Sequence, residues 1–596
     1  MTNKALMSVL RLKEAKEIVL HGVAASPGIA IGKAFVLTGE QVKVDPRIIG
    51  DDEVPVEIEK LMSAIERAKQ DLQTDRTNAA NKVGREKARI FEAHQMLLED
   101  DMLINEAREI IHKKHLSADS AFYEVVQKYQ DHLGQKVAET FRDRVADLRD
   151  VKRRVVRHIQ GVRRDFLNQV QDSAIIVARD LTPTDTITLD RHKILGFATD
   201  MGGKTSHASL VARSYEVPAV VGLRDIFKQV KSGDRLILDG IAGAAIINPS
   251  ASTLKKYRKR QIQQHEISKK LDTLRDLPSR TLDGKDIELA ANIEFSDEID
   301  SVVAHGARGI GLFRTEYLYM KTSLLPTEDE QLEVYREMAQ RMRPYPVIIR
   351  TMDLGGDKSP QCINIPPEDN PFLGWRAIRI SLEMQEVFLA QLRAILRASA
   401  FGNVKILLPM ISGVGELKEA LDIIDRAKEQ LRKKNQDYSD ATEVGMMIEV
   451  PSSAVLADVF AERVDFLSIG TNDLVQYVLA VDRGNERIAH LYQNLHPAVL
   501  RLLRDVIQKA HEKGVWVGMC GEMAADPLAT ILLIGMEIDE LSVSPIAVPE
   551  IKRIIRAVDF QEAASVVRKV MEMSGAADIE HFMMRYMRRK FKDMVF

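Results

Sequence analysis

At 596 residues the chain is too long for one hydrophobic core, and its length predicts roughly three or four domains. Its 84 Lys and Arg against 87 Asp and Glu give a formal charge of -3, which removes any global electrostatic drive toward nucleic acid or an anionic membrane. Two cysteines, Cys362 and Cys520, cannot build a disulfide framework and suit a reducing compartment.

Met1 to Leu20 is interrupted by Arg11, Lys13, Glu14, Lys16 and Glu17, so it lacks the apolar core of a secretory signal. No uninterrupted apolar stretch is long enough to span a bilayer, so no membrane insertion and a cytoplasmic location are expected. Ala24 to Leu37 then reads as β structure punctuated by glycine and proline. From Val56 to Thr182 the texture changes: proline is absent, the glycines are Gly84, Gly134 and Gly161, and apolar residues recur at helical spacing. One stripe is Ile58, Leu61, Met62 and Ile65; another is Phe122, Val125, Val126, Tyr129 and Leu133. Short β runs return at Ala174 to Leu181, Ala219 to Gly222 and Arg235 to Asp239. The helical block is therefore expected to be an insertion in a β/α domain that begins before it and ends after it.

Within that domain Gly202-Gly203-Lys204-Thr205-Ser206-His207 leads into the helix former Ala208 to Arg213, with Thr205 or Ser206 able to cap. A helix start attracts anions through its unpaired N–H groups and its dipole. A neutral imidazole there is also a nucleophile, so His207 could carry a phosphoryl group covalently. Taken alone, the same motif fits a hydrogen-bonded core histidine equally well.

Ser252 to Leu277, rich in Lys, Arg, Gln and Glu and closed by Pro278, predicts an exposed connecting helix whose basic residues form a solvated face. Beyond it strand, loop and helix alternate. Eight strands are predicted: Ile287 to Asn292, Ala307 to Phe313, Val347 to Met352, Val404 to Met410, Val444 to Ile448, Phe466 to Ile469, Val515 to Met519 and Glu540 to Val543. They fit a closed (β/α)8 barrel, a fold that bears its chemistry on the loops after the strands. Polar residues cluster there, as in Arg314-Thr315-Glu316, Asp353, Glu449, Thr471-Asn472-Asp473 and Cys520-Gly521-Glu522.

Glu449 and Asp473 are hard oxygen donors without a His or Cys triad, a set that suits Mg²⁺ or Mn²⁺. Arg314, Arg350 and Arg483 fall at or after strand ends, where guanidinium groups clamp phosphate and carboxylate oxygens. With Asn472 beside them, these groups suit a small molecule that is both phosphate and carboxylate, such as phosphoenolpyruvate. Cys520, at the open end of the seventh strand, could exchange the proton that an enol-derived carbanion requires.

The motifs GGKTSHASLVARSYEVPAVVG, GLFRTEYLYM, VIIRTMDLGGDK, NPFLGWRAIR, LRAILRASAFG, IEVPSS, SIGTNDLVQYVLAVDRGN and GMCGEMA, in this order, resemble those of the Enzyme I family of the bacterial sugar phosphotransferase system, from about His21 to the C-terminus. The resemblance implies a phosphohistidine domain (21–50 and 168–250), an inserted helical subdomain that docks the carrier HPr (51–167), a linker helix (251–278) and a phosphoenolpyruvate-binding, dimerising barrel (279–596). It implies His207 as the phosphohistidine; Arg314, Arg350, Arg483, Asn472 and Asp473 around phosphoenolpyruvate; Glu449 and Asp473 on Mg²⁺; and Cys520 as proton donor. Residues 1–20 extend beyond the usual start, and Lys204 stands where many members have Arg. A phosphoenolpyruvate synthase or dikinase shares some of these motifs but needs an ATP-binding domain, for which the helical residues before His207 leave no glycine-rich phosphate loop. A nitrogen-branch or purely regulatory relative is the other alternative.

Overall fold

The computed structural model describes residues 17–37, 44, 46–83, 90–134, 139–161, 173–181, 193–203, 206–320, 324–356, 358, 360, 362–483, 485 and 487–591. The chain divides into two units, Met1–Ser268 and Lys269–Phe596. Among the described residues no helix is long and apolar enough to cross a membrane.

The first unit is built on an eight-stranded sheet. Its strands are β1 (Ile18–His21), β2 (Val23–Ser26), β3 (Ile29–Val36), β4 (Ala174–Ala178), β5 (Ile194–Thr199), β6 (Ala219–Val221), β7 (Arg235–Asp239) and β8 (Ala244–Ile247), in the order β1-β8-β7-β3-β4-β5-β6-β2. The central strands β3, β4, β5 and β6 are parallel, and both flanks are antiparallel. The sheet begins inside the stretch expected to be an extension, since Ile18 to His21 pair with β8. Strands β1, β5 and β8 were not expected. Each is short, and β8 lies wholly buried, so neither alternation nor length marks it as a strand.

Between β3 and β4 the chain leaves the sheet for helices α1 (Val54–Val83), α2 (Ile90–Leu98), α3 (Asp101–Lys114), α4 (Ala118–Gly134) and α5 (Glu139–Gln160). Their core is the stripe read from the sequence: Leu61, Ile65, Phe122, Val125 and Val126 are buried together, while Met62 turns outward. A buried ion pair, Arg154 Nη1 to Asp75 Oδ2 at 3.0 Å, joins α5 to α1. The Glu57 carboxylate of α1 accepts from the Ala118 N–H that opens α4, at 2.9 Å.

Two short helices follow, α6 (His207–Ser214) and α7 (Ile226–Gln229), and then α8 (Ala251–Asp272), which is the expected connecting helix. Apolar Leu254 of α8 packs on Ile29, Ile237 and Ile246 of the sheet. Arg260 Nη1 reaches the buried Asp239 at 2.8 Å, and Gln261 Nε2 donates to the Ile29 carbonyl at 2.9 Å.

The second unit is a closed parallel barrel of eight strands: β9 (Glu288–Ile293), β10 (Ile310–Phe313), β11 (Val347–Arg350), β12 (Val404–Leu408), β13 (Val444–Ile448), β14 (Phe466–Ile469), β15 (Trp516–Met519) and β16 (Glu540–Val543). All eight coincide with predicted strands. Each is a short apolar run buried on both faces, between the barrel interior and the surrounding helices. Leu312, Ile348, Leu407, Met447, Phe466 and Cys520 fill part of the interior.

Close packing in that interior is testable at Gly445 on β13, where a Cβ would lie 2.5 Å from the ring of Phe466, itself stacked on Trp516 at 4.6 Å. Gly445→Ala should lower stability in urea by about 1–3 kcal/mol, because the stacked pair has to move. Gly415→Ala, on a helix where a Cβ meets nothing within 4 Å, should be neutral or slightly stabilising.

Candidate active site

The two sets of residues singled out in the sequence lie in different units. In the first unit Gly202 adopts φ 111°, a region that favours glycine, and a Cβ there would sit 2.8 Å from Ser206 Oγ. The chain then enters α6 with Ser206 at the N-cap position and His207 as the first helical residue. Ser206 does not cap the helix with its side chain. Its hydroxyl lies 2.9 Å from Ser209 Oγ, which donates to the Gly203 carbonyl at 2.7 Å, so the two serines tie the glycine turn to the first turn of the helix. Ala208 and Ala212 fix α6 to Ala25, Ile176, Phe197, Ala219 and Val221 of the sheet. Lys204, Thr205 and the His207 imidazole lie outside the described part of the structure.

In the second unit the C-terminal ends of the strands hold a buried charge network. Arg350, the last residue of β11, pairs through Nη2 with Glu316 and through Nη1 with Asp353 at 3.2 Å. Arg376 places Nη2 3.0 Å from Asp353 Oδ1 and 3.1 Å from Asp473 Oδ2, so one guanidinium bridges two carboxylates. Lys358 Nζ approaches Glu316 at 3.5 Å and Asp353 at 3.6 Å. Tyr477 accepts from Arg376 Nη1 at 3.3 Å and donates to the Phe372 carbonyl, fixing the long loop after β11 to the helix Thr471–Leu479.

Glu449 follows β13, and its Oε1 accepts from the Met410 N–H at 2.7 Å. Gly470 leaves room for it: a Cβ there would lie 3.0 Å from Glu449 Oε2 and 2.9 Å from Met447 Sδ. Burial, and then the charges of Asp473 and Asp353, push the Glu449 carboxyl up to about 8. Asp353 goes the other way. Burial alone would raise it, but Arg376, Lys358 and Arg350 hold it well below the usual carboxylate range. Burial works against the charge on Arg350, but Glu316, then Asp353 and Glu449, more than offset it and keep the guanidinium firmly charged.

Asp473 Oδ1, Arg350 Nε and Arg376 Nε are buried here without a hydrogen-bond partner. Such orphaned atoms are rare in native proteins, and three of them gathered at one barrel mouth are open to a water, an ion or a ligand. Among the described residues no group of three or more His, Cys, Asp or Glu forms a ready metal cage. Glu449 and Asp473 nevertheless fit a hard divalent cation: they offer two carboxylates, one with an oxygen to spare and one whose charge is suppressed for want of a counter-ion.

Of the residues expected around the substrate, Arg350, Glu449 and Asp473 belong to this network. Arg314 is half-buried on the rim, its Nη1 2.7 Å from Glu294 Oε1, and Asn472 Oδ1 accepts from the Glu522 N–H at 2.8 Å. Arg483 stands on an exposed turn beyond the helix, where its own N–H donates to Gln476 Oε1 at 3.2 Å. Cys520 is buried; its Sγ accepts from the Ser468 hydroxyl at 3.3 Å, and burial pushes the thiol up to about 11. Arg376, Lys358 and Tyr477 were not singled out from the sequence. Arg376 lies in the motif NPFLGWRAIR, but far along a loop from any strand end, so strand-end logic passes over it.

Three family profiles match the chain: PEP-utilising enzyme, N-terminal, over residues 21–144; PEP-utilising enzyme, mobile domain, over residues 170–243; and PEP-utilising enzyme, PEP-binding domain, over residues 268–560. The fold is thus that of a phosphoenolpyruvate-utilising enzyme. The phosphoenolpyruvate-protein phosphotransferase of Geobacillus stearothermophilus is 43% identical over 570 residues, covering 96% of this chain and 98% of that protein. Those of Haemophilus influenzae and Bacillus subtilis are 43% and 44% identical, over 96% and 94% of this chain and 99% and 98% of their own lengths. The chain belongs to the phosphoenolpyruvate-protein phosphotransferase family, and it is a phosphotransferase enzyme.

A raised carboxyl has two consequences. Between its ordinary value of 4.5 and about 8, Glu449 binds its proton more tightly in the folded chain than in the unfolded one, so without a cation it costs stability as pH rises through that window. A divalent cation must displace the same proton. Apparent Mn²⁺ affinity should therefore rise by up to about tenfold per pH unit below 8 and level off above it, and Glu449→Gln should remove this slope in a calorimetric titration.

Proposed function

We propose that the barrel holds phosphoenolpyruvate in the Arg350–Arg376 network, that Nε2 of His207 takes its phosphoryl group, and that the same imidazole passes it to a histidine of an HPr-type carrier. The observation that carries this reading is the coincidence of buried, unpartnered guanidinium N–H donors with a spare carboxylate oxygen at one barrel mouth. Phosphate and carboxylate oxygens satisfy such donors, and a cation satisfies the acceptor.

Arg350 and Arg376 orient the donor and stabilise charge as the P–O bond breaks, with Arg314 and Asn472 at the rim. Arg483 is assigned to the same substrate, which requires its exposed turn to fold inward on binding. Glu449 and Asp473 would hold Mg²⁺, which when bound neutralises phosphoryl charge. The departing enolate of pyruvate takes a proton at its methylene carbon from the Cys520 thiol, which lies in the barrel beside Ser468. The carrier docks on the helical block, where the exposed Met62, Met96 and Met102 offer adaptable apolar contact. A cytoplasmic homodimer, joined through the barrel unit, completes the proposal.

One imidazole that serves two sites must travel. The connecting segment is anchored at each end: Arg260 and Gln261 hold it to the sheet, while Lys552 Nζ and Arg556 Nη1 grip the Arg275 and Pro278 carbonyls, each at 2.7 Å. In this reading reorientation takes place between these two sets of anchors, where α8 ends at Asp272.

Incubation with labelled phosphoenolpyruvate and Mg²⁺ should give an acid-labile, base-stable label that is absent from His207→Ala and is not formed from ATP. Label retained by His207→Ala would refute the acceptor. A crosslink fixing the two units should permit at most one transfer per chain, whereas full turnover in that state would refute the swing.

A further inference from the structure

We infer that Ser468 is a positioning residue for the proton transfer: its hydroxyl stabilises the thiolate that Cys520 becomes when it protonates the enolate. This inference rests on the proposed role of Cys520 and adds a group that nothing in the sequence reading assigned.

Ser468 lies on β14 and is buried, with its neighbour on β15 in the strand register being Gly518. Its hydroxyl donates to Cys520 Sγ at 3.3 Å. Among the described residues the thiol donates only over a long contact, to the Ile469 carbonyl at 3.8 Å, which leaves its proton available for transfer. The main chain at Cys520 is held firmly. Its N–H donates to the Ile469 carbonyl at 3.1 Å, and its carbonyl accepts from Asn292 Nδ2 at 2.9 Å; Asn292 is in turn held by the Ser542 hydroxyl at 2.6 Å. Sγ therefore faces a fixed donor across the strand gap.

Charge around the sulfur explains why a donor is needed. Burial disfavours the thiolate, Arg350 and Arg314 favour it, and Glu449 disfavours it. In the transfer the S–H bond breaks as a C–H bond forms at the methylene carbon. The enolate electron pair enters that C–H bond, the S–H pair stays on sulfur, and water later returns a proton to the thiolate. The Ser468 O–H···S⁻ bond strengthens along this path, since hydrogen bonds to a charged acceptor are roughly twice as strong as neutral ones. The Ser468 hydroxyl contacts the sulfur, not the charged network at the barrel mouth. It acts through the sulfur.

The test uses the full chain in a Cys362→Ser background, with pyruvate, a divalent cation and deuterated water, following deuterium entry into the pyruvate methyl group. Ser468→Ala should slow this exchange about ten- to a hundredfold. It should also slow alkylation of Cys520 by iodoacetamide at fixed mildly alkaline pH by a similar factor, with phosphoenolpyruvate affinity unchanged. Ser468→Thr, which keeps the hydroxyl, should restore both rates. If Cys520→Ser abolishes exchange while Ser468→Ala stays within about twofold of wild type, the role of Ser468 is overturned and that of Cys520 stands. A slowed exchange with unchanged alkylation and weakened phosphoenolpyruvate binding likewise overturns it, as a packing effect. Exchange that survives in Cys520→Ser overturns the reading of Cys520 and this inference together.

Discussion

A surplus of buried carboxylate over basic side chains at the barrel mouth is the constraint on which the proposed chemistry depends. Among the described residues Glu316, Asp353, Glu449 and Asp473 face Arg350, Arg376 and Lys358. Burying an unbalanced charge is expensive, so the imbalance must be relieved locally. The imbalance falls on Glu449, the member with no guanidinium in direct contact, where burial and then the charges of Asp473 and Asp353 favour the protonated carboxyl. In the proposed reading a divalent cation replaces that proton and turns the network into one that accepts an anion, so that substrate entry and cation entry are parts of one event.

The barrel makes such a network affordable by rigidity. Eight short strands buried on both faces bring their ends to one rim, so residues distant in sequence meet there without their own loops having to order them. Arg350 ends a strand, Glu449 directly follows one, and Asp473 opens a helix just beyond another; Arg376 reaches them from a long loop that Tyr477 pins. The proposed nucleophile, His207, belongs to the other unit, at the start of α6, where a glycine turn and two serines set the helix entrance. In the proposed reaction, keeping the donor site apart from the acceptor imidazole is what would allow one group to serve two partners.

Much of this was legible in the sequence, for identifiable reasons. All eight barrel strands were readable because each is an apolar run closed by polar residues, and Glu449, Asp473 and Arg350 sit at those closures. The helical insertion was readable from its lack of proline and its periodic Leu61, Ile65, Phe122 and Val125. By contrast β1, β5 and β8 were not, because strands of four to six residues in a mixed sheet carry too little pattern. Thr205 or Ser206 was expected to be able to cap α6; the Ser206 hydroxyl engages Ser209 instead, a choice of partner that sequence cannot make, and Thr205 lies outside the described residues. Arg376 escaped because its place in the network depends on the path of a long loop, and Ser468 because a serine inside an apolar strand gains meaning only from the sulfur across from it.

The most direct measurement of the central claim is calorimetric titration of phosphoenolpyruvate into the full-length His207→Ala chain, which cannot turn over, with and without Mg²⁺. If surplus carboxylate charge closes the site until a cation enters, affinity without Mg²⁺ should fall by at least about tenfold. Equal affinity under both conditions would contradict the account.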